Sequence, residues 1–261
     1  MQLWTPEHIK TLIPATIVMI VIAIVLRLTL GKKSEQVRFI PFQIVAVALL
    51  VLEIAKQAHE LSNGYDLYSL PFHFCSLFIF LPITMAFYRG KHDQKVRAIT
   101  TMACAALFMF MMIYPDLIYG AGSIRDFSNS LMSFHTVAFH NLAMFEFILI
   151  IALNLYTPNT KRDMKVLVIF FVVYNIFEAI MANILNTNFN SMYYCAIPPI
   201  ESLRLTLHGA LGSFFGQTLY CLGVTVGDLL FVSLGYWIFR LIVFIINKIS
   251  SAIANRKNSK S

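Results

Sequence analysis

Long apolar runs constrain this chain more than any other feature of its sequence. Several runs approach 20 residues, the length of helix that crosses the ~30 Å hydrocarbon core of a bilayer. The 261 residues are 58% hydrophobic and 13% charged, which leaves too little polar surface for a soluble globule of this size. No alternating ten-residue pattern predicts barrel strands. We therefore expect an all-α, polytopic membrane protein.

Seven segments have the length and hydropathy of membrane-spanning helices. They predict a seven-transmembrane-helix domain over residues 1–254, followed by a disordered cytosolic tail over residues 255–261. Between the last two spans, apolar residues recur at helical spacing in residues 193–217, which predicts an extracytoplasmic segment that lies in the interface or re-enters the bundle. The predicted spans are 9–30, 40–61, 70–88, 97–114, 131–156, 165–186 and 218–246.

The distribution of basic residues predicts the orientation. Sixteen of the 20 Lys and Arg residues fall in the first, third and fifth connections or near the C-terminus. Basic loops stay in the cytosol, so we expect the N-terminus outside and the C-terminus inside, with the protein in a bacterial plasma membrane. The net charge of +7 is explained by these loops, and no nucleic-acid partner is expected.

Polar side chains gather in the half of the spans that this orientation places outside. Ionisable groups inside a span are costly and usually face a cavity or a partner, so we predict a polar cavity on that side. The cluster Glu53, Lys56 and Glu60 has the spacing of a structural ion-pair cluster. The other candidates near this face include His59, His73, Cys75, Asp116, His135, His140, Glu178, Asn186 and Asn188.

Cys75 differs from the other cysteines because it lies near a membrane face among histidines. An imidazole can activate a thiol, since the thiolate is the nucleophile. His135 and His140 are ~140° apart on a helix, so we expect only one of them to point fully inward. In contrast, Cys104 and Cys221 are expected to be small buried hydrophobic side chains.

Four motifs, in order, resemble those of the YwaF family of bacterial integral membrane proteins. Residues 70–75 read Leu-Pro-Phe-His-Phe-Cys, similar to the LP-x-H-x-C start of a span in that family. Residues 114–117 resemble its Pro-Asp turn, and residues 134–141 its F-x-x-x-H segment, with His140 at the histidine position. Residues 183–189 resemble its Asn-rich stretch. Phe189 stands where the family has Tyr, and Asn141 where it has Gly.

The YwaF family in turn resembles an animal family of multi-span acyltransferases that act on ether phospholipids through a Cys and a His. That resemblance implies a lipid acyltransferase or a lipid hydrolase. The predicted orientation adds that the transfer is CoA-independent, because acyl-CoA is cytosolic and the site lies toward the outer face. Cys75 would be the nucleophile and His140, or else His135, the base. His73, Asp116 and Glu178 would support them, and Asn186, Asn188 and His59 would bind substrate. The implied partners are a membrane phospholipid or lysolipid, with no cofactor.

Two other functions fit the same residues. A polar cavity open to one side also suits a transporter or a receptor-like protein that binds a small polar or lipidic ligand. A metal-dependent membrane hydrolase would need His73, His135, His140 and Asp116 to converge on one ion. The oligomeric state cannot be derived from the sequence.

Overall fold

The computed structural model describes residues 3–120 and 122–258, and most of this length is helical. The expected all-α class is confirmed. Two short 3₁₀ turns, Leu67–Ser69 and Phe74–Ser76, lie between the second and third helices. In the described residues the α-helices are α1 (Pro6–Leu30), α2 (Glu35–Asn63), α3 (Leu77–Phe87), α4 (Asp93–Ile113), α5 (Pro115–Tyr119), α6 (Leu131–Ala152), α7 (Thr160–Leu185) and α8 (Pro198–Asn258).

Within the described chain, six helices are long and apolar enough to cross a membrane: α1, α2, α4, α6, α7 and α8. The third predicted span is instead the shorter apolar helix Phe74–Phe87. Its α-helical part, α3, has 11 residues and is ~16 Å long. The helix starts late because His73 before it is extended, with φ −79° and ψ 157°. The chain is thus a multi-pass membrane protein with one half-length helix.

The last helix is longer than the sequence predicted. We expected a disordered tail from residue 255, but α8 continues to Asn258. Residues 241–258 contain neither Gly nor Pro, so no residue in this stretch interrupts the helix. The remaining residues of the expected tail, 259–261, lie outside the described residues.

Helix α6 packs against three other helices, α1, α2 and α4. Because it has neighbours on several sides, residues on different faces of it are buried. His135 is 7% exposed and His140 is 8% exposed, although they are ~140° apart on the helix. The expectation that only one would point fully inward was wrong, since His135 packs against α2 and His140 against the 3₁₀ turn Phe74–Ser76.

Basic side chains from the first and third connections meet at the C-terminal end of α6. Arg27 donates to the Ala152 carbonyl at 2.8 Å, and Arg38 donates to the carbonyl of the next residue at 2.6 Å. Arg97 bonds to the Leu155 carbonyl and pairs with Glu35 at 2.6 Å. We call this the basic end of the bundle, and the opposite end, where α6 begins, the site end.

Helix α8 is two helices joined at a break. Gly212 has φ 78° and ψ 164°, a conformation that side-chain-bearing residues rarely adopt. Beyond it the chain turns back on its first part, because a Cβ on Gly216 would lie 2.7 Å from backbone atoms of Leu207 and His208. His208 and Gln217 bridge the two parts at 2.8 Å. Residues 198–217 therefore form a helical hairpin.

Candidate functional site

A cavity of about 760 Å³ lies within the bundle and brings together side chains that are far apart in sequence. Its lining comes from α2, α4, α5, α6 and α8 and from the irregular stretches 68–76 and 188–197. Five of the nine predicted site residues are among the described residues that line it: His73, Cys75, His135, His140 and Asn188.

The closest contact between reactive groups in this cavity is between Cys75 and His140. The Nε2 atom of His140 lies 3.0 Å from the Cys75 Sγ atom. The other ring nitrogen, Nδ1, lies 2.6 Å from the Thr136 carbonyl oxygen. A carbonyl only accepts, so Nδ1 carries the proton in the neutral ring and Nε2 presents its lone pair to the thiol. The backbone of α6 thus favours the tautomer in which His140 Nε2 can accept a proton from the thiol.

The irregular backbone before α3 places Cys75 inside the bundle. Non-helical backbone at membrane depth is stable only where protein groups satisfy it. Here the Tyr174 hydroxyl of α7 donates to the His73 carbonyl at 2.8 Å, and the Gln57 amide of α2 donates to the Ser69 carbonyl at 2.8 Å. Side chains of two flanking helices therefore hold the segment that carries the thiol.

Cys75 also lies in the first turn of a helix. The 3₁₀ turn Phe74–Ser76 runs directly into α3. The Ser76 backbone N–H donates to the His73 carbonyl at 2.8 Å, so the turn that carries the thiol is closed by its own backbone.

His135 makes a second pair in the same cavity. Its Nε2 atom lies 3.2 Å from Glu53 Oε2, and both side chains are almost fully buried. The other Glu53 oxygen accepts from Gln57 at 2.7 Å and from Lys56 at 3.4 Å. The predicted ion-pair cluster on α2 therefore contains Glu53 and Lys56, with His135 as a further member.

The three residues expected to support the reaction have other partners than the His140 imidazole. His73 Nε2 bonds to the Tyr68 carbonyl at 2.8 Å. Asp116 lies 4.0 Å from His8, and Glu178 accepts from Asn190 at 3.2 Å. We expected Asp116 or Glu178 to orient the His140 ring. In the structure the Thr136 carbonyl, one turn earlier on α6, bonds to the ring instead.

Of the three predicted substrate-binding residues, one lines the cavity and two do not. Asn188 lines the cavity, but its side-chain oxygen accepts the backbone N–H groups of Tyr193 and Tyr194, each at 3.2 Å. Asn186 is the left-handed C-cap of α7, with φ 49°. His59 lies beside Asn63 on α2. Asn186 and His59 therefore have local roles at helix ends.

A group of buried polar residues lies beside the cavity, and sequence reasoning selected only Glu178 from it as a site residue. Asn190 donates to Asp228 at 2.9 Å and to Glu178 at 3.2 Å, and Asn175 donates to Asp228 at 3.2 Å. Glu178 and Asn175 are at most 1% exposed. A carboxyl group within an apolar run, as at Asp228, is a sequence signal that could have identified this group of buried polar residues. Asn190 gave no signal because it lies in a loop.

Tyr119 was also missed, and it connects three parts of the site. Its ring stacks on His8 with centroids 6.0 Å apart and meets His140 edge-on at 6.4 Å. Asn141, where the YwaF pattern has Gly, donates to the Tyr119 hydroxyl oxygen at 2.9 Å. Burial raises the pKa of the Tyr119 phenol, so this hydroxyl stays neutral beside His140.

The residues proposed as metal ligands do not converge. His135 faces Glu53, His140 faces Cys75, and Asp116 lies beside His8. In the part of the chain that the structure describes, no group of three or more His, Cys, Asp or Glu side chains has the arrangement to hold a metal ion.

Comparison with known proteins identifies the family. Residues 3–207 match the sequence model of the TMEM164 family, a membrane protein family. This chain belongs to the TMEM164 family. The match includes Cys75, His140 and the irregular stretch 68–76, and it ends within the helical hairpin. For this TMEM164-family chain, neither the curated proteins nor the solved structures gave a match.

Proposed function

We propose that this TMEM164-family protein is a lipid acyltransferase that works without CoA, with lipid hydrolysis as its side reaction. The single observation that carries the proposal is the 3.0 Å contact between Cys75 Sγ and His140 Nε2 inside a cavity of the membrane bundle. A thiol beside an imidazole with a free lone pair is the arrangement of a cysteine nucleophile and its base.

The reaction proceeds in two balanced steps. His140 takes the Cys75 proton, and the thiolate attacks the ester carbonyl of a diacyl lipid. The ester C–O bond breaks, the leaving alkoxide takes the proton from His140, and the acyl group stays on sulfur as a thioester. An acceptor hydroxyl then gives its proton to His140 and attacks the thioester. The C–S bond breaks, and the released thiolate takes that proton from His140, which restores the Cys75 thiol and the neutral imidazole. Water in place of the acceptor gives hydrolysis.

The position of the pair supports a membrane lipid as the acyl donor. His140 is nine residues after the start of α6, so it lies ~14 Å along the helix from the site end. A phospholipid in the same leaflet brings its ester bonds within reach of that depth. The basic residues at the opposite end support a cytosolic location for that end, so a cytosolic acyl-CoA would have to cross the bilayer.

Lys56 supports a phosphate-bearing substrate. Its ammonium group lines the cavity and lies 3.4 Å from Glu53, where it can also contact an entering anion. A diacyl phospholipid and a lysolipid acceptor both carry a phosphate that needs such a partner. We therefore propose these two lipids as the substrates, in the plasma membrane of a bacterium.

The experiment that tests this function traps the thioester. Purified protein is incubated with a diacyl phospholipid labelled in its acyl chains and without acceptor. We expect label on Cys75 that hydroxylamine releases, and no label in Cys75→Ser or His140→Ala. Cys104→Ser is the matched control, since Cys104 is fully buried elsewhere in the bundle, and it should retain the label. Undiminished labelling of Cys75→Ser contradicts the proposal.

A further inference from the structure

One wall of the cavity is a continuous stripe on α8. The lining residues fall in adjacent pairs that recur every four positions, so they share one face of the helix. From Leu219 to Val232 the stripe covers 13 residue steps, or ~20 Å. That length matches a long fatty acyl chain in extended form. The stripe consists of Leu219, Tyr220, Gly223, Val224, Gly227, Asp228, Phe231 and Val232.

Two glycines make the middle of this stripe a groove. A Cβ built on Gly223 or Gly227 meets no atom within 4 Å, so the space in front of each is open to the cavity. In contrast, Gly235, which follows on the same helix, packs against α4, where its Cβ would be 3.2 Å from the Ala106 nitrogen. The open glycines therefore widen the cavity and do not serve helix packing.

The groove has apolar walls on both sides of its centre. Near Leu219 it faces Leu203 and Leu207 of the helical hairpin, which also line the cavity. Near Val232 the rings of Phe231 and Phe110 meet at 5.3 Å, where α8 packs against α4. An apolar chain longer than a few carbons is the ligand that such a lining binds.

We propose that the α8 stripe binds the acyl chain whose carbonyl reacts at Cys75, and that Gly223 and Gly227 set the length of chain that fits. The inference rests on the proposed function, because the same cavity holds the Cys75–His140 pair. A side chain at either glycine shortens the groove, so it excludes long chains and leaves short ones bound. These glycines are specificity-determining positions and take no part in the chemistry.

The test measures chain-length dependence at the thiol and needs no acyl transfer. The purified full chain in detergent is treated with N-methylmaleimide or N-hexadecylmaleimide, whose double bond adds to the Cys75 sulfur. Mass spectrometry gives the rate of addition at Cys75. The measured quantity is the ratio of the long-chain to the short-chain rate, so a general effect on folding or thiol reactivity cancels.

We expect Gly227→Leu and Gly223→Leu each to lower this ratio about tenfold, the effect of obstructing a hydrophobic pocket. Gly209→Leu is the matched control, since Gly209 also has open space in front of it and does not line the cavity. It should leave the ratio unchanged. An unchanged ratio in both groove variants, or an equal fall in Gly209→Leu, overturns the groove. If the groove variants lower the ratio but the unsubstituted protein shows no transferase activity, the acyl-chain groove is supported and the proposed reaction is contradicted.

Discussion

Glu53 on α2 and His135 on α6 meet at 3.2 Å, and both line the cavity that contains the Cys75–His140 contact. Helix α6 thus presents two imidazoles to one cavity, each with a different partner. His140 has its lone pair toward a thiol, whereas His135 faces a carboxylate. This difference is the reason that we propose His140 as the base and His135 as part of the polar wall.

The first prediction separates the two histidines. His140→Ala should lower acyl transfer by about 10²- to 10⁴-fold, since it removes the base. Glu53→Gln should lower it only about tenfold, because the carboxylate positions His135 and Lys56 and does not move a proton of the reaction. The measurement is kcat/KM for transfer from a labelled phospholipid. Glu60→Gln, on the same helix, is the control and should retain full activity.

A larger loss in Glu53→Gln than in His140→Ala would reverse this assignment. It would make the Glu53–His135 pair the base and leave the Cys75–His140 contact without a catalytic role. The same comparison made with His135→Ala should give the smaller effect, in agreement with Glu53→Gln.

The second prediction concerns the helical hairpin. Gly216→Ala should lower the melting temperature of the purified protein, because its new methyl group would meet the backbone of Leu207 and His208 at 2.7 Å. The cost of such overpacking is about 1–3 kcal/mol. Gly209→Ala adds the same methyl group in open space and should not lower the melting temperature. Equal melting temperatures for the two variants would contradict the close crossing.

The third prediction concerns orientation. A tag at Met1 should be accessible from outside in intact cells, and a reporter fused after Ser261 should be active in the cytosol. The basis is the cluster of Arg27, Arg38 and Arg97 at one end of the bundle, because basic residues remain on the cytosolic side. A protected N-terminal tag together with an exposed C-terminus would contradict this orientation and the choice of a membrane lipid as donor.

The membrane fold could be predicted from the sequence because each span is a long, continuous run of apolar residues. Six of the seven predicted spans correspond to helices that meet the length of a membrane crossing. The third does not, because the backbone at its start is non-helical and its carbonyls accept from Gln57 and Tyr174 of other helices. No local pattern contains such contacts, so the half-length helix could not be derived.

The candidate site could be predicted only in part, for the same reason. A thiol and histidines inside apolar spans are visible as unusual residues, and the structure places Cys75 beside His140. The partner of each polar group depends on helix packing. The sequence therefore could not assign Asp116 to His8, or Glu178 and Asp228 to Asn190. The packing of α6 against α1, α2 and α4, which buries both histidines, is likewise a property of the whole bundle.

The proposed function requires that Cys75 moves an acyl chain between membrane lipids. The most direct test places purified protein in liposomes with a labelled diacyl phospholipid and an unlabelled lysolipid, with no CoA present. We predict transfer of label to the lysolipid, and loss of this transfer in Cys75→Ala. Cys221→Ala is the control and should retain transfer, because the Cys221 thiol donates to the Met192 carbonyl and does not contact His140. Transfer that requires acyl-CoA, or transfer that survives in Cys75→Ala, would contradict the claim.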